Sequence, residues 1–410
     1  MKHTMCELFA GIGGFRIAFN HITLTDNNVQ EEPLWDIVYA NQWEPKTNLQ
    51  SAFKCYQRRF GKKDIHTNKD INKINPKDIP KHTVLTAGFP CQDFSIANSN
   101  QPDGIKGDKG SLLSTLLNII QVQKPPFILL ENVDRLLKSP SRQVGRDFAY
   151  LLKRLSDNNY IIEWRVINAS DYGFPQRRRR IFIFATQIDT KYAKTYSNTN
   201  YEDLFFDDGF FARPFPIQDI NKELLSEINL QQYTLDDIVN NFTGIFYKAG
   251  YCIDGQALST EIVPEYVYPT ELEELLDNAS DKFNLNDKRL QTIKQNKGAK
   301  SVQRINEYTQ ECYTYSEGSV SFPDDISMPA RTLTTYEGTV NRSAHVIEDP
   351  ITKQYRFLTP NECEKIQMIP ENWTNMLSNR QRYFVIGNSL VINVVRLMGD
   401  ALYNIIQNED

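Results

Sequence analysis

Short apolar runs recur through the first 190 residues with helical patterns between them, and this alternation limits the fold more than any other feature of the chain. Thr4–Phe9, Ile37–Ala40, Thr83–Ala87, Phe127–Leu130, Trp164–Ile167 and Ile181–Ala185 are predicted strands. Leu112–Gln121 and Phe148–Leu155 carry helical spacing between them. Strands joined through helices pair mostly in parallel, and a parallel sheet is covered on both faces. The predicted class is therefore α/β, a mostly parallel sheet with helices on either side. Such sheets hold their ligands beyond the carboxyl ends of the strands. The residues just past each strand are the candidates for chemistry.

After Ala185 the pattern changes. Residues 186–330 hold 24 acidic against 12 basic side chains. The acids concentrate in 201–277, whereas Lys282–Arg304 is basic. Strand and helix no longer alternate, which predicts a second, smaller and irregular domain. From about Ile351 helical character returns at Thr359–Met368 and Val391–Asn404. The predicted organisation is 1–187 for the first part of the main domain, 188–350 for the small domain, and 351–410 for the return. The 40% hydrophobic and 24% charged residues are globular values. No apolar stretch approaches the roughly 18 residues of a membrane helix, and the N-terminus does not read as a signal peptide. Six cysteines without CxxC spacing are expected as free thiols in a reducing cytoplasm, with no metal module. The net charge of −5 does not advertise a nucleic-acid partner, so any such partner must meet local patches.

Five segments stand at predicted strand ends. Glu7 to Phe15 (ELFAGIGGF) runs from a strand through a glycine turn into a helix, a backbone that can approach a ligand closely. Ala40 to Pro45 (ANQWEP) places a Trp and an acid where adenine stacking and ribose binding occur in related sheets. Gly88 to Ser95 (GFPCQDFS) puts Cys91 at the ligand edge, followed by glycines at 104, 107 and 110 suited to a lid. Phe127 to Val133 (FILLENV) ends an apolar strand on Glu131, a poorly solvated position suited to proton donation. Gln176 to Arg180 (QRRRR) leads into a strand, so Arg178 and Arg180 share one face, and Arg177 and Arg179 the other.

FAGIGGF, GFPCQ, ENV, QRRRR, RFLTPNEC and GNSLVINVV occur in this order. Together they closely resemble the DNA cytosine-5 methyltransferases of bacterial restriction–modification systems. The resemblance covers about residues 4–186 and 330–396. The stretch between lacks a recognisable pattern and corresponds to the family's variable target-recognition region. The resemblance implies a Rossmann-like methyltransferase sheet that binds S-adenosylmethionine, with a target-recognition domain across a DNA cleft. It implies cofactor contacts from Phe9, Gly11, Ile12, Gly14, Trp43, Asp70, Ile71, Pro90, Leu112, Asn388, Ser389 and Leu390. The family commonly has an acid before the Trp. Here that residue is Gln42, which can still bond a ribose hydroxyl, while Glu44 is displaced by two residues.

The resemblance also implies the chemistry. Cys91 matches the nucleophile that attacks cytosine C6. Glu131 meets N3 and the exocyclic amine. Arg180, and after it Arg178, holds the O2 side. The target base must leave the helix, and Gln92 or Ser95 can touch DNA as the loop closes. Arg331, Thr332, Asn341 and Arg342 are expected near double-stranded DNA. A monomer in the cytoplasm, associated with the nucleoid, with a cognate restriction endonuclease as genetic partner, completes the expectation. The alternatives are an RNA (tRNA) cytosine methyltransferase and a catalytically silent DNA-binding relative. A nicotinamide-dependent dehydrogenase is disfavoured by the missing third glycine.

Overall fold

The computed structural model describes the chain except residues 46, 91–111, 198, 280, 306–309 and 410. The first strand, β1 (Thr4–Leu8), passes through the glycine turn into α1 (Gly14–Phe19). A small hairpin of β2 (Thr23–Thr25) and β3 (Asn28–Gln30) precedes β4 (Asp36–Asn41), α2 (Ser51–Phe60) and the short β5 (His66–Thr67). Then come β6 (Val84–Gly88), α3 (Leu112–Gln123), β7 (Phe127–Val133), α4 (Arg146–Ser156), β8 (Tyr160–Asn168) and β9 (Arg179–Gln187). All six predicted strands are present.

These strands form a single sheet. The order β5-β4-β1-β6-β7 is parallel throughout, and β9 enters antiparallel between β7 and β8. Apolar runs without polar alternation mark strands buried on both faces, and β7 shows why. Phe127 and Leu129 join the core layer packed by α1, α2 and the C-terminal helix, whereas Ile128 and Leu130 join the layer packed by α3 and α4. A period of two sends successive side chains to opposite faces.

The domain boundary predicted at residue 188 does not hold. After α5 (Tyr201–Phe206), β10 (Ile217–Asn229), α6 (Leu235–Asn241), β11 (Ala249–Ile253) and β12 (Gln256–Pro264) continue the central sheet as β8-β11-β12-β10, all antiparallel. The reason is physical: β8 is buried on both faces from Tyr160 to Ile167 and would be a bare edge if β11 did not pair with it. The acidic outer strand β10, which pairs with β12, keeps most side chains exposed, so it carries no apolar run to mark it as a strand.

The small unit is correspondingly shorter. It comprises α7 (Asp287–Lys297), the ribbon of β13 (Lys300–Ile305) and β14 (Cys312–Glu317), and the pair β15 (Val346–Glu348) and β16 (Tyr355–Phe357). Its own core gathers Ile293, Ala344, Val346 and Phe357. The return therefore begins after Phe357, not at 351. It supplies α8 (Pro360–Ile366), α9 (Asn379–Gly387) and α10 (Ile392–Gln407), and α10 packs along α1. No single helix among the described residues is long and apolar enough to cross a membrane.

Candidate active site at the carboxyl edge of the sheet

Register brings the strand ends together. Leu8 lies opposite Ala87 and Asn41, Asn41 opposite Thr67, and Gly88 opposite Glu131. The segments beginning at Phe9, Gln42, Asn68 and Phe89 therefore leave the sheet side by side, next to Glu131 on β7, which runs on to Val133 against β9. Every predicted site segment before residue 140 starts from this one edge.

The glycines of the first turn divide their work. Phe9, Gly11 and Gly13 all have positive φ, at 53°, 58° and 93°. A Cβ on Gly13 would stand 2.6 Å from the Phe60 ring, and one on Gly14 would stand 3.2 Å from Leu390, so both positions serve packing. At Gly11 a Cβ would meet nothing within 4 Å. Gly11 is thus the glycine that faces open space. Ile12 is buried, and its carbonyl accepts a 3.1 Å bond from the Trp373 indole. The helix that follows has no capping side chain at Gly13. Glu7 caps it instead, accepting from the amides of Phe15 (3.1 Å) and Arg16 (3.4 Å) and from the Tyr56 hydroxyl (3.3 Å). Burial pushes the Glu7 carboxyl up to about 7.

Beside this turn, the Gln42 side-chain oxygen accepts from the Gly11 amide at 2.8 Å, which leaves its amide nitrogen to face a ligand. Glu44 is committed elsewhere: it accepts from the Ala52 amide at 3.2 Å and caps α2, and burial raises its carboxyl. Trp43 is 38% exposed, an unusual amount for an indole, and free to stack. Asp70 caps a short helical turn through the Asn72 amide (3.1 Å) and keeps a partly exposed carboxylate. Ile71 is buried in the core, Pro90 is exposed and Leu112 is half-buried at the start of α3. On the return, Asn388 is exposed at the end of α9, while Ser389 and Leu390 are buried. Leu390 meets Gly14, which joins the return to the glycine turn.

Cys91, Gln92 and Ser95 lie outside the described residues. The approach to Cys91 is nevertheless defined. Phe89 is buried, and its carbonyl accepts a 2.9 Å bond from the buried Asn132 side chain. Next to Asn132, Glu131 forms a 2.9 Å ion pair with Arg180, both side chains mostly shielded. Gly88 faces this pair: a Cβ there would stand 3.4 Å from the Glu131 carboxylate.

Arg178 lies two residues before Arg180, and both terminal nitrogens of its guanidinium are engaged. It donates to the carbonyls of Leu333 (3.0 Å), Gly387 (3.1 Å) and Ser389 (2.8 Å). Burial lowers its proton affinity. With its head group held by these three carbonyls, Arg178 braces the arginine strand against the return segment, whereas the catalytic expectation placed it at the substrate.

The four residues expected near DNA in the small unit also have internal partners. Arg331 pairs with Asp324 and donates to the carbonyls of Ser343 and Ala344, both at 3.2 Å. Asn341 turns back on the amide of Ser343 (3.0 Å). Arg342 pairs with Glu317 and donates to the Gly318 carbonyl at 2.6 Å. Thr332 donates to the Arg177 carbonyl at 2.7 Å. Arg331 and Asn341 therefore shape the unit, and contact with DNA is not their visible role. Thr332 does line an open cleft of ≈ 390 Å³ together with Asp134, Asn168, Arg177, Arg179 and Arg180. This cleft adjoins the Glu131–Arg180 pair and is edged by three guanidinium groups.

Sequence reasoning missed several supporting side chains. Trp373 and Gln367 are fully buried, and Gln367 donates to the Ile386 carbonyl at 3.0 Å. Gln176, which the sequence marked only as the start of the arginine run, is fully buried and accepts from the Leu333 amide at 3.2 Å. Polar residues inside predicted apolar segments were the available signal, because buried amides need partners. Among the described residues no cluster of His, Cys, Asp or Glu is arranged for a metal.

A family model described as C-5 cytosine-specific DNA methylase matches residues 3–404. The chain is 40% identical to the Type II methyltransferase M.Sau3AI of Staphylococcus aureus, over 98% of this chain and 96% of that relative. It is 26% identical to the Type II methyltransferase M.HhaI of Haemophilus parahaemolyticus, over 97% and 93% of the two chains. The fold is similar to a Spodoptera frugiperda DNMT2 mutant (TM-score 0.58, 16% identity, covering 98% and 100% of the two chains). It is equally similar to the S. pombe Dnmt2 methyltransferase (TM-score 0.57, 15% identity, covering 99% of each).

Proposed function

The chain belongs to the C-5 cytosine-specific DNA methylase family, and on that premise we propose that it methylates C5 of a flipped cytosine within a specific duplex sequence, using S-adenosylmethionine and a covalent bond from Cys91 to C6. The observation that carries the reading is the shared sheet edge. There the open glycine turn, Gln42–Trp43, the strand leading to Cys91 and the Glu131–Arg180 pair stand in adjacent positions.

The residues at that edge fit the cofactor. Gly11 keeps its side open, Gln42 offers an amide nitrogen, Trp43 offers an exposed aromatic face, and Asp70 and Asn388 offer polar groups at the rim. When bound, S-adenosylmethionine supplies an electrophilic methyl group. Cytosine C5 is a poor nucleophile, so the protein must activate it. The Cys91 thiolate adds to C6, and the ring electrons move toward C5. Glu131 holds a proton at N3 and accepts from the exocyclic amine. Arg180, already paired with Glu131 at 2.9 Å, holds the O2 side and fixes the carboxyl orientation. C5 takes the methyl as the donor's S–CH3 bond breaks to leave the neutral thioether; water then takes the C5 proton, and departure of Cys91 from C6 restores the aromatic ring and the free thiolate. The base must be extruded for this chemistry, at a cost of about a few kcal/mol.

A cytoplasmic, nucleoid-associated monomer with a cognate endonuclease is part of the same reading. The test uses methyl-labelled S-adenosylmethionine with duplex DNA or bulk tRNA, and Cys91→Ala as control. Label recovered as 5-methylcytosine in DNA, and absent with the variant, is the expected result. Label confined to tRNA moves the substrate to RNA. Binding of DNA without transfer to either makes the chain a silent relative.

A further inference from the structure

Among the described residues, the ribbon of β13 and β14 is the longest pair of strands with no buried residue, and almost all of its residues are exposed. No residue of either strand is buried, and Val302, Ile305 and Tyr313 are 51%, 63% and 45% exposed. An isolated two-stranded hairpin is marginal in water, so an ordered ribbon that covers nothing implies a surface that covers it. Its register sorts the side chains into two sets. Lys300, Val302 and Arg304 stand opposite Glu317, Tyr315 and Tyr313 on one face; Ser301, Gln303 and Ile305 stand opposite Ser316, Thr314 and Cys312 on the other.

The second face is uncharged and rich in small hydrogen-bonding groups. Gln303 donates to the Thr314 hydroxyl at 2.9 Å and lies 3.3 Å from the Cys312 sulfur, which pre-orients its amide. The first face carries Lys300 and Arg304 beside Glu317, with Arg304 stacked on Tyr315 at 3.8 Å and Glu317 held by Arg342. The segment 287–305 holds six basic residues and one acidic residue in a chain of net charge −5. Lys297 is buried against Asp324, and the other five basic side chains are exposed.

We propose that this ribbon enters the major groove of the duplex, with Gln303 and Thr314 reading base edges and Lys300 and Arg304 meeting phosphates. The proposal rests on the DNA-methyltransferase reading and assigns its sequence choice to named residues. Two strands about 4.8 Å apart with their side chains fit a groove about 12 Å wide, which admits a two-stranded ribbon. A Gln amide pairs bidentately with adenine, Ser and Thr hydroxyls accept or donate, and an apolar Ile suits a thymine methyl. The ribbon is also tied to the catalytic cleft. Arg342 grips its base at Glu317 and Gly318, and Thr332, ten residues earlier, holds the Arg177 carbonyl at the cleft wall.

The test begins with wild-type protein, whose methylated sites on plasmid DNA are mapped by bisulfite sequencing. Failure to methylate any DNA overturns the functional reading itself. With a mapped site in hand, Gln303→Ala and Thr314→Ala are expected to relax the methylated sequence at one or two positions, with discrimination falling about 10-fold or more. Lys300→Ala/Arg304→Ala is expected to weaken binding to all duplexes alike. It should also reduce the slope of log K against log salt by about 2, near 0.9 per phosphate contact. Thermal melts should match wild type, because these side chains are exposed. An unchanged site pattern with unchanged salt slope overturns the proposal. A reduced slope with an unchanged pattern overturns the base-reading role. A wild-type dimer that the substitutions dissociate assigns the ribbon to a second copy instead and also overturns it.

Discussion

Arg178 and Arg180 are two residues apart, yet they have different partners. The difference is burial and partner. Arg178 is 5% exposed and feeds three main-chain carbonyls across the interface between the arginine strand and the return segment. Arg180 keeps part of its surface and pairs with a carboxylate at the cleft. Removing a buried charged donor strands its acceptors, so Arg178→Ala should cost about 3 kcal/mol of stability. Arg180→Ala should cost less than Arg178→Ala, because water in the adjoining open cleft can reach the Glu131 it leaves unpaired, while lowering methyl transfer about 100-fold or more. Urea denaturation and labelled methyl transfer, run on both variants, check this. Equal destabilisation by the two, or a fully active Arg180→Ala, would refute the division of roles.

At the scale of elements, helix ends explain much of the placement. Thr359 with Glu362 and Ser378 with Gln381 form capping boxes that start α8 and α9, and such spacing is legible along the chain. The start of α1 is different, because its cap, Glu7, lies a strand-end away and comes from β1. Burial lifts this carboxyl from an ordinary 4.5 to about 7. A raised folded-state pKa means the folded chain holds the proton longer than the unfolded chain. The Glu7 contribution is therefore complete below pH 4.5 and is lost as pH rises through 7, by about 3 kcal/mol. Glu7→Gln keeps an acceptor for the helix amides and removes the titration. Between pH 5 and 8 the stability difference should move in favour of the variant. A difference independent of pH would show that Glu7 does not titrate there.

The whole molecule is closed by its last fifty residues. α10 packs on α1, Leu390 meets Gly14, and the Trp373 indole holds the Ile12 carbonyl. The glycine turn is thus clamped from a segment some 360 residues away. Trp373→Phe keeps most of the apolar volume and deletes the indole donor. It should raise the KM for the methyl donor about 5- to 10-fold, the worth of one hydrogen bond, with kcat nearly unchanged. A variant that loses only thermal stability would reduce Trp373 to core packing.

The chain by itself determined the alternation that builds β1, β4, β6, β7, β8 and β9, and it placed Gly11, Trp43 and Glu131 just past or at strand ends. These are local facts: apolar period, glycine at positive φ and polar residues at the end of an apolar run are written in consecutive residues. Tertiary structure decided what depends on partners far away in sequence. It turned Arg178 into a brace, spent Glu44 on capping α2, gave Arg331 and Arg342 to internal acids, and drew acidic segment 217–264 into the central sheet. A charged side chain looks alike in sequence whether it meets solvent, DNA or a buried carbonyl. Which of these it meets is set by the groups that folding brings within hydrogen-bond reach, because a buried charge must find a partner.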